Sequence, residues 1–392
     1  MRTILFTGKG GVGKTTAAAG TAIVAAARGN RTLLLSTDAA HSLADAFAAP
    51  IAGEPTEVHG NLFVQQVDTQ RRLERSWRDI SAYLLSVLDA AGVDSITAEE
   101  LTVIPGAEEV LALLELRAQA TSGAWDVVVV DCAPTAETLR LLALPEALGW
   151  YMDRVLPAER RIVRTLRPIL TRAAGVPMPQ DTVFDAFERL YGDLEDVQQL
   201  LTGKDASVRL VLTPEAMVVA EARRSLTTLS LFGYRVDGVI ANRVFPESGA
   251  DAWRERWVAA QSQVLAEVEQ SFAGLPIWRS PYHPQEPVGV ADLADFAVAT
   301  YGDDDPLATP IGQGPMRLTR EGGGSTLHLD LPFASRNDVD LARQGDELVV
   351  TVGSYRRVLA LPAALAKQAV SGARVDGGTL QVRFRPTGGD AV

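Results

Sequence analysis

The sequence has a single cysteine, Cys132, among its 392 residues. One cysteine cannot form a disulfide within the chain, and it excludes both a zinc site built from several cysteines of one chain and a three-thiolate site for a soft metal. The sequence also lacks an apolar run of about 18 residues, so no membrane-spanning helix is predicted. We therefore expect a cytoplasmic protein with no zinc and no stable membrane insertion.

Positive charge is also scarce. The sequence has 37 lysine and arginine residues against 49 aspartate and glutamate residues, a formal charge of −12. This balance repels nucleic-acid backbones and anionic lipid, so nucleic acid is not an expected partner. Hydrophobic residues make up 47% of the chain, which is enough to bury full cores. The length corresponds to two or three domains of about 150 residues each.

Short apolar segments alternate with helical patterns in the first 301 residues. This alternation predicts an α/β fold with a parallel sheet covered by helices. The continuous run Val127-Val128-Val129-Val130 is typical of a central strand buried on both faces. The predicted strands are 3–7, 31–36, 127–130, 208–212 and 236–241, with a helix at 14–28. Residues from about 145 to 203 have helical patterns only, which we interpret as a helical insertion.

A second pattern follows residue 301. Residues 302–315 are polar and contain proline and glycine, which indicates a linker. Residues 316–386 alternate apolar and polar side chains with a period of two and contain the turn Asp376-Gly377-Gly378, which predicts a C-terminal all-β sandwich. Before the linker, residues 251–272 carry an apolar helical stripe that we expect to pack on the domain's own sheet; it comprises Trp253, Trp257, Ala260, Val264, Val268 and Phe272.

The segment GKGGVGKTT, residues 8–16, matches the phosphate-binding loop GxxxxGK[ST] and lies between a predicted strand and a predicted helix. Backbone N–H groups of such a loop surround phosphate oxygens, and the following helix adds its positive N-terminus. Lys14 is then placed for the β- and γ-phosphates of ATP, and the Thr15 hydroxyl for Mg²⁺. The predicted ATP-binding residues of the loop are Gly8, Lys9, Gly10, Gly11, Val12, Gly13, Lys14, Thr15 and Thr16.

The additional lysine of the loop, Lys9, resembles that of the deviant P-loop class, which includes MinD and ParA ATPases, nitrogenase iron protein and ArsA/GET-type ATPases. This resemblance implies that Lys9 reaches across the interface of a nucleotide-dependent homodimer to the partner's nucleotide. The alternative is a lysine that neutralises phosphate charge in its own chain.

Two further segments resemble one family within this class. DAAHSLADAF, residues 38–47, resembles the switch I sequence DPAHNLSDAF of the ArsA/GET family, and DCAPTAETLR, residues 131–140, resembles its switch II, DTAPTGHTLR. Two short segments, NRV at 242–244 and PYHPQEP at 281–287, also fit, so residues 1–301 are similar to the ATPase domain of that family. Ala39 replaces a family proline, and Ala136-Glu137 replaces a Gly-His pair.

Phosphoryl transfer to water depends on positioning and charge neutralisation, so we assign Asp38 to orient the attacking water, with Lys9 and Lys14 completing the catalytic set. Asp131 follows the four-valine strand, where a carboxylate meets the Mg²⁺ shell through water. The resemblance implies that Asn242 binds adenine beside Pro281 and Tyr282. The alternatives are structural roles for the two aspartates and a turn role for Asn242. His41 and Cys132 are interpreted as a backbone-bonding and a core side chain.

The C-terminal β region resembles an α-crystallin, small-heat-shock-type domain from the LxLxLPF segment at Leu327 to the LQVRF segment ending at Arg385. Together the resemblances imply an ATP-hydrolysing dimeric switch that binds and releases a hydrophobic helical client, such as a tail-anchored membrane protein. The alternatives are the ATPase subunit of an arsenite or other anion pump, a MinD/ParA-like positioning ATPase, and a chaperone that uses only the C-terminal domain.

Overall fold

The computed structural model describes residues 1–38, 42–67, 107–133, 181–247, 251–310, 312, 314–321 and 324–386. Within these residues, no helix is both long enough and apolar enough to cross a membrane. The chain divides into two compact units, one with residues 1–66, 124–139 and 201–392, the other with residues 67–123 and 140–200.

An eight-stranded sheet forms the centre of the first unit, in the order β3-β4-β2-β5-β1-β6-β7-β8. All neighbouring pairs are parallel except β3 with β4, so the predicted parallel sheet is confirmed. The central strand β5 is buried along its whole length, as its valine run predicts. The strands are β1 Arg2–Thr7, β2 Thr32–Ser36, β3 Thr56–His59, β4 Leu62–Gln66, β5 Val127–Asp131, β6 Ala206–Leu212, β7 Val236–Val244 and β8 Ile277–Pro281.

Helices of this unit follow the strands they connect, as expected for parallel sheets. The first, α1, begins directly after the glycine-rich loop and packs on β5 and on the helix that precedes residue 302. The helices are α1 Lys14–Ala27, α2 Ser42–Phe47, α5 Ala216–Leu231, α6 Ala252–Ser271 and α7 Gly289–Tyr301.

The second unit is described only in part, by α3 (Ala107–Thr121) and by α4 (Asp181–Thr202), which continues two residues into the first unit. Arg117 of α3 makes ion pairs with Asp193 at 3.0 Å and Asp196 at 2.7 Å. Most of the predicted helical insertion at 145–203 lies outside the described residues.

The apolar stripe of α6 packs differently from the prediction. Val268 and the following Phe272 are buried, but Trp253 and Trp257 are 59% and 50% exposed. The two tryptophan rings contact each other, and Trp257 also contacts Phe245. The expectation that the whole stripe packs on the sheet is therefore wrong for its N-terminal half, because periodicity identifies an apolar face without showing what covers it.

Residues 316–386 form two antiparallel sheets, in the orders β14-β15-β10-β9 and β11-β12-β13. Leu329 and Val382 of the first sheet and Leu348 of the second are buried, which gives this region its own core. Gly377 and Gly378 both have positive φ, as the predicted two-residue hairpin turn requires. The strands are β9 Met316–Glu321, β10 Gly324–Asp330, β11 Val339–Gln344, β12 Glu347–Val352, β13 Tyr355–Ala360, β14 Gln368–Asp376 and β15 Thr379–Pro386, with a 3₁₀ turn at Arg336–Asp338 and α8 at Ala363–Ala366.

The β region packs against the C-terminal end of α5. The buried guanidinium of Arg357 donates to the carbonyl of Leu231, the last residue of that helix. A positive charge at this end interacts favourably with the negative end of the helix dipole. Phe232 and Tyr355 rings meet edge to face with centroids 6.3 Å apart. The β region is thus joined to the α/β core by polar and aromatic contacts.

A buried cluster of charges lies where β1, β6 and β7 begin. The carboxylate of Asp237 accepts from Arg2 at 2.9 Å and from Arg209 at 2.8 Å. Arg209 also donates to the hydroxyl of Tyr301 at 3.1 Å, and Ser207 donates to Asp237 at 2.6 Å. One carboxylate therefore neutralises part of the charge of two buried guanidinium groups.

The start of the segment expected to be a linker completes this cluster. Arg209 donates to the carbonyl of Pro306 at 2.8 Å, and Arg2 donates to that of Leu307 at 3.2 Å. Asp304 accepts from the indole N–H of Trp278 at 2.8 Å. Residues 306 and 307 consequently supply acceptors for the buried arginines of the α/β core, and Asp304 supplies one for Trp278.

Asp237→Asn should lower the free energy of unfolding by about 3–5 kcal/mol, because it leaves Arg2 and Arg209 buried without their carboxylate. Urea denaturation followed by circular dichroism measures this loss. Asp305→Asn is the matched control, since Asp305 pairs with Arg28 in an exposed position and should cost at most about 1 kcal/mol. Equal losses in the two variants would contradict the stabilising role of the buried cluster.

Candidate active site

The glycine-rich loop connects β1 to α1 at the end of the sheet opposite the buried charge cluster. Gly13 has φ +94°, and a Cβ on it would lie 2.3 Å from the side-chain nitrogen of Asn242. That nitrogen donates to the carbonyl of Val12 at 2.8 Å. Gly13 therefore has to be glycine for two reasons, its backbone conformation and the close approach of β7 to the loop.

The two lysines of the loop differ in exposure. Lys14 opens α1 and is 7% exposed, whereas the Lys9 side chain is exposed. No hydrogen bond or ion pair joins the Lys9 side chain to another described residue. Lys14 thus lies within the site of its own chain, and Lys9 is accessible from outside it.

The hydroxyl of Thr15 connects three parts of the site. It donates to Oδ2 of Asp131 at 2.7 Å and lies 3.0 Å from the hydroxyl of Ser42, the first residue of α2. Thr15 and Asp131 were paired in the sequence prediction, and the structure brings them together. Ser42 was not predicted; its place inside the switch I segment is the signal that would have suggested it.

The other oxygen of Asp131, Oδ1, is buried and has no hydrogen-bond partner among the described residues. Burial raises the pKa of Asp131 to about 7, although the bond from Thr15 and the charge of Lys14 lower it. This carboxylate oxygen and the hydroxyl groups of Thr15 and Ser42 together form a set of oxygen donors of the kind that Mg²⁺ prefers. These residues fit the predicted metal role.

Asp38 follows β2, beside the end of β5. Its backbone N–H donates to the hydroxyl of Ser36 at 3.2 Å, and its carbonyl accepts from Nε2 of Gln66 at 2.8 Å. The neighbouring Thr37 N–H donates to the carbonyl of Asp131 at 3.0 Å. The backbone around Asp38 is therefore fixed from both sides, by β5 and by the end of β4.

Gln66 is a residue that the sequence did not single out. It is 6% exposed, and its Oε1 is buried without a hydrogen-bond partner among the described residues. Strand β4 is not among the predicted strands, and nothing in the local sequence distinguishes Gln66 from Gln65.

A cleft of about 340 Å³ opens beside the loop. It brings together Asn242, Pro281 and Tyr282, which are predicted for the base, with Gly13 and Thr16 of the phosphate-binding loop. Tyr282 is 48% exposed and stacks on Phe245 with centroids 5.1 Å apart. The cleft offers the aromatic ring of Tyr282, a backbone loop and the amide of Asn242, whose Oδ1 also accepts from the backbone N–H of Arg243 at 2.8 Å.

His283 also lines this cleft, and its Nε2 is buried without a hydrogen-bond partner among the described residues. His283 is not among the site residues that the sequence predicts. Its neighbours Pro281 and Tyr282 in the PYHPQEP segment would have been the signal.

Some predicted features lie outside the described residues. These are residues 39–41, including His41, and residues 134–140 of switch II. Cys132, at the start of switch II, is buried, and burial raises the pKa of its thiol. This environment keeps the thiol protonated and matches the interpretation of a core side chain.

Comparison with known proteins identifies the relatives of this fold and loop. A family model described as an anion-transporting ATPase matches residues 1–302. The chain belongs to the ArsA family of ATPases. A second model, an HSP20-like domain found in ArsA, matches residues 322–384, which agrees with the resemblance to an α-crystallin domain.

Individual relatives cover from 75% to 96% of this ArsA-family ATPase. A putative arsenical pump-driving ATPase of Chlorobaculum tepidum is 37% identical over 369 residues, covering 93% of this chain and 91% of that protein. Another protein of that name, from Aquifex aeolicus, is 33% identical over 387 residues, 96% and 98% of the two chains. An ATPase ASNA1 homolog of Trypanosoma cruzi is 28% identical over 324 residues, 75% of this chain and 89% of that protein.

Gln66→Met should slow ATP hydrolysis by about tenfold or more while leaving ATP affinity close to wild type, because only the position of Asp38 depends on the lost bond. Single-turnover phosphate release and calorimetric titration with ATP measure the two quantities. Gln65→Met is the matched control, since Gln65 is equally buried but donates to the carbonyl of Gly53. A similar loss in both variants, or a large loss of affinity in Gln66→Met, would contradict the positioning role.

Proposed function

We propose that this ATPase is a homodimeric switch in which two subunits close over ATP and Mg²⁺, and in which hydrolysis releases a bound hydrophobic client. The observation that carries the nucleotide part is the Thr15–Asp131 pair beneath the loop, with one buried carboxylate oxygen left for a cation. That pair lies beside Lys14 on one side and the base cleft on the other.

Each group has a separate task in this proposal. The loop N–H groups and Lys14 bind the phosphates, and Asn242 with Tyr282 orients the base. Thr15 and Asp131 hold Mg²⁺, the Asp131 carboxylate acting through water; when bound, this ion neutralises phosphate charge. Asp38 accepts a hydrogen bond from the attacking water and orients it towards the γ-phosphate. Gln66 and Ser36 hold the Asp38 backbone in place.

The exposure of Lys9 supports the dimer. A lysine that neutralised phosphate only in its own chain would be expected to point into the loop, as the buried Lys14 does. Lys9 instead is exposed and makes no described polar contact, so its charge is available to a nucleotide held by a second subunit. Phosphate release from such an interface would remove the negative charge that holds the two subunits together.

The client part of the proposal rests on the family resemblance and on the helical insertion. In its described part, α4 carries the half-buried apolar side chains Leu190 and Leu200. The arsenical-pump names of several relatives favour an alternative, an ATPase subunit that drives anion export. A tight arsenite site needs about three thiolates, and the single buried Cys132 does not supply them.

Mixed dimers test the switch most sharply. Lys9→Ala and Asp38→Asn subunits should each bind ATP but hydrolyse it slowly on their own. If each site needs Asp38 from one subunit and Lys9 from the other, a mixture contains one intact site per heterodimer. Each heterodimer should then regain up to about half of the wild-type rate, so a randomly paired equimolar mixture should reach up to about a quarter of it in a phosphate-release assay.

Two further measurements accompany this assay. Light scattering should show dimers with a non-hydrolysable ATP analogue and fewer dimers with ADP, and a hydrophobic helical peptide should be captured only in the ATP-analogue state. A Lys14→Ala subunit mixed with Asp38→Asn is the control, because it lacks ATP binding and should restore nothing. If heterodimers form but recover no activity, Lys9 acts on the nucleotide of its own chain, and the proposed interface is contradicted.

A further inference from the structure

The C-terminal β region has the opposite charge from the rest of the chain. Residues 316–386 contain ten arginine and lysine residues and seven acidic residues, a formal charge of +3, whereas the remaining residues contain 27 and 42, a formal charge of −15. Charge asymmetry between domains indicates different partners for the two parts. The β region is the part suited to an anionic partner.

The basic side chains gather on the outward face of the four-stranded sheet. Along β15, buried Val382 and Phe384 alternate with exposed Arg383 and Arg385, so both arginines face outward. Strand register places Thr326 of β10 next to Arg383 and Thr319 of β9 beyond it; the adjacent row contains Arg374, Gln381 and His328. The face therefore combines guanidinium groups with hydroxyl, amide and imidazole groups.

A cleft of about 700 Å³ covers this face. Its twelve described lining residues include Arg374, Arg383, Arg385 and His328, and none of these twelve is acidic. Binding sites for organic ligands typically have volumes of roughly 300–1,000 Å³, and this cleft lies in that range. A single inorganic anion needs much less space.

The charges of Arg383 and Arg385 are not neutralised within the described part of the chain, where no hydrogen bond or ion pair engages either guanidinium. Arg374 donates to Gln381 at 3.0 Å and has only a distant exposed contact, 3.7 Å, with Asp376. The nearest acidic side chain along β10, Asp330, is already paired with Arg317 at 2.8 Å.

We propose that this face binds an acidic segment of a partner protein in an extended conformation. Arg383 and Arg385 lie two residues apart on one strand, which separates them by roughly 6.6 Å. An extended peptide repeats its alternate side chains at the same spacing, so carboxylates at positions i and i+2 meet both guanidinium groups. Each carboxylate accepts two parallel hydrogen bonds from its arginine. The Thr326 hydroxyl lies beside them for the peptide backbone, whereas the Thr319 hydroxyl is hydrogen-bonded to Nε2 of His328 at 2.9 Å.

Fluorescence anisotropy with a labelled peptide in which glutamate alternates with serine tests this site on the full chain. The peptide should bind, its affinity should fall as salt rises, and Arg383→Gln/Arg385→Gln should weaken binding by about tenfold or more. Arg336→Gln/Arg356→Gln is the control, because it removes the same charge from exposed positions outside the cleft and should change affinity by less than about twofold. ATP hydrolysis should be unchanged in both double variants.

Other results would overturn the proposal. If both double variants bind the peptide equally weakly, the loss depends on net charge and not on this cleft. If a peptide with glutamine in place of glutamate binds equally well, carboxylates are not what the face recognises. Displacement of the peptide by equimolar inorganic phosphate would indicate a small-anion site. Tighter binding of an oligothymidylate or of phosphatidylserine vesicles, or self-association lost in Arg383→Gln/Arg385→Gln, would assign the face to nucleic acid, membrane or a second copy instead.

Discussion

The hydrogen bond from Thr15 to Asp131 joins the start of α1 to the end of the central strand β5. Both groups are held by elements that form for independent reasons, the helix by the glycine-rich turn before it and the strand by burial of its valines on both faces. The bond leaves one buried carboxylate oxygen without a hydrogen-bond partner in the described part of the chain, and burial disfavours its charge. In the proposed function, a bound Mg²⁺ would relieve that cost. The neighbouring strand β2 leads into Asp38, and the next strand, β4, ends at Gln66.

The opposite end of the sheet contains a buried charge cluster. Asp237 pairs with both Arg2 and Arg209, and carbonyls from residues 306 and 307 accept further N–H groups of the same arginines. The segment after α7 is consequently part of the α/β core before it leads into the β region. Arg357 adds a second attachment at the end of α5. The basic face includes neither attachment, because the residues that line its cleft lie on β14, β15, β10 and β9.

Local patterns predicted what depends on local constraints. The glycine-rich loop, the valine strand and the Gly377-Gly378 hairpin each require particular residues at short spacing, and the structure shows them where the sequence predicts them. Gln66 and the Arg2–Asp237–Arg209 cluster could not be predicted, because their partners come from distant strands. Trp253 and Trp257 show the limit of periodicity, since a helical stripe does not reveal which of its turns meets the sheet. The roles of Lys9, Asp38 and Asn242 come from the family resemblance and remain predictions.

In the proposed function, the oxygen Oδ1 of Asp131, which is unpaired among the described residues, helps to hold the Mg²⁺ that accompanies ATP. Calorimetric titration of ATP with and without Mg²⁺, on the full chain and on Asp131→Asn, tests it most directly. Wild type should bind ATP much more tightly with Mg²⁺, and Asp131→Asn should lose most of that difference while unfolding at a temperature no lower than wild type, because the buried charge is removed. An undiminished effect of Mg²⁺ in Asp131→Asn would contradict the account.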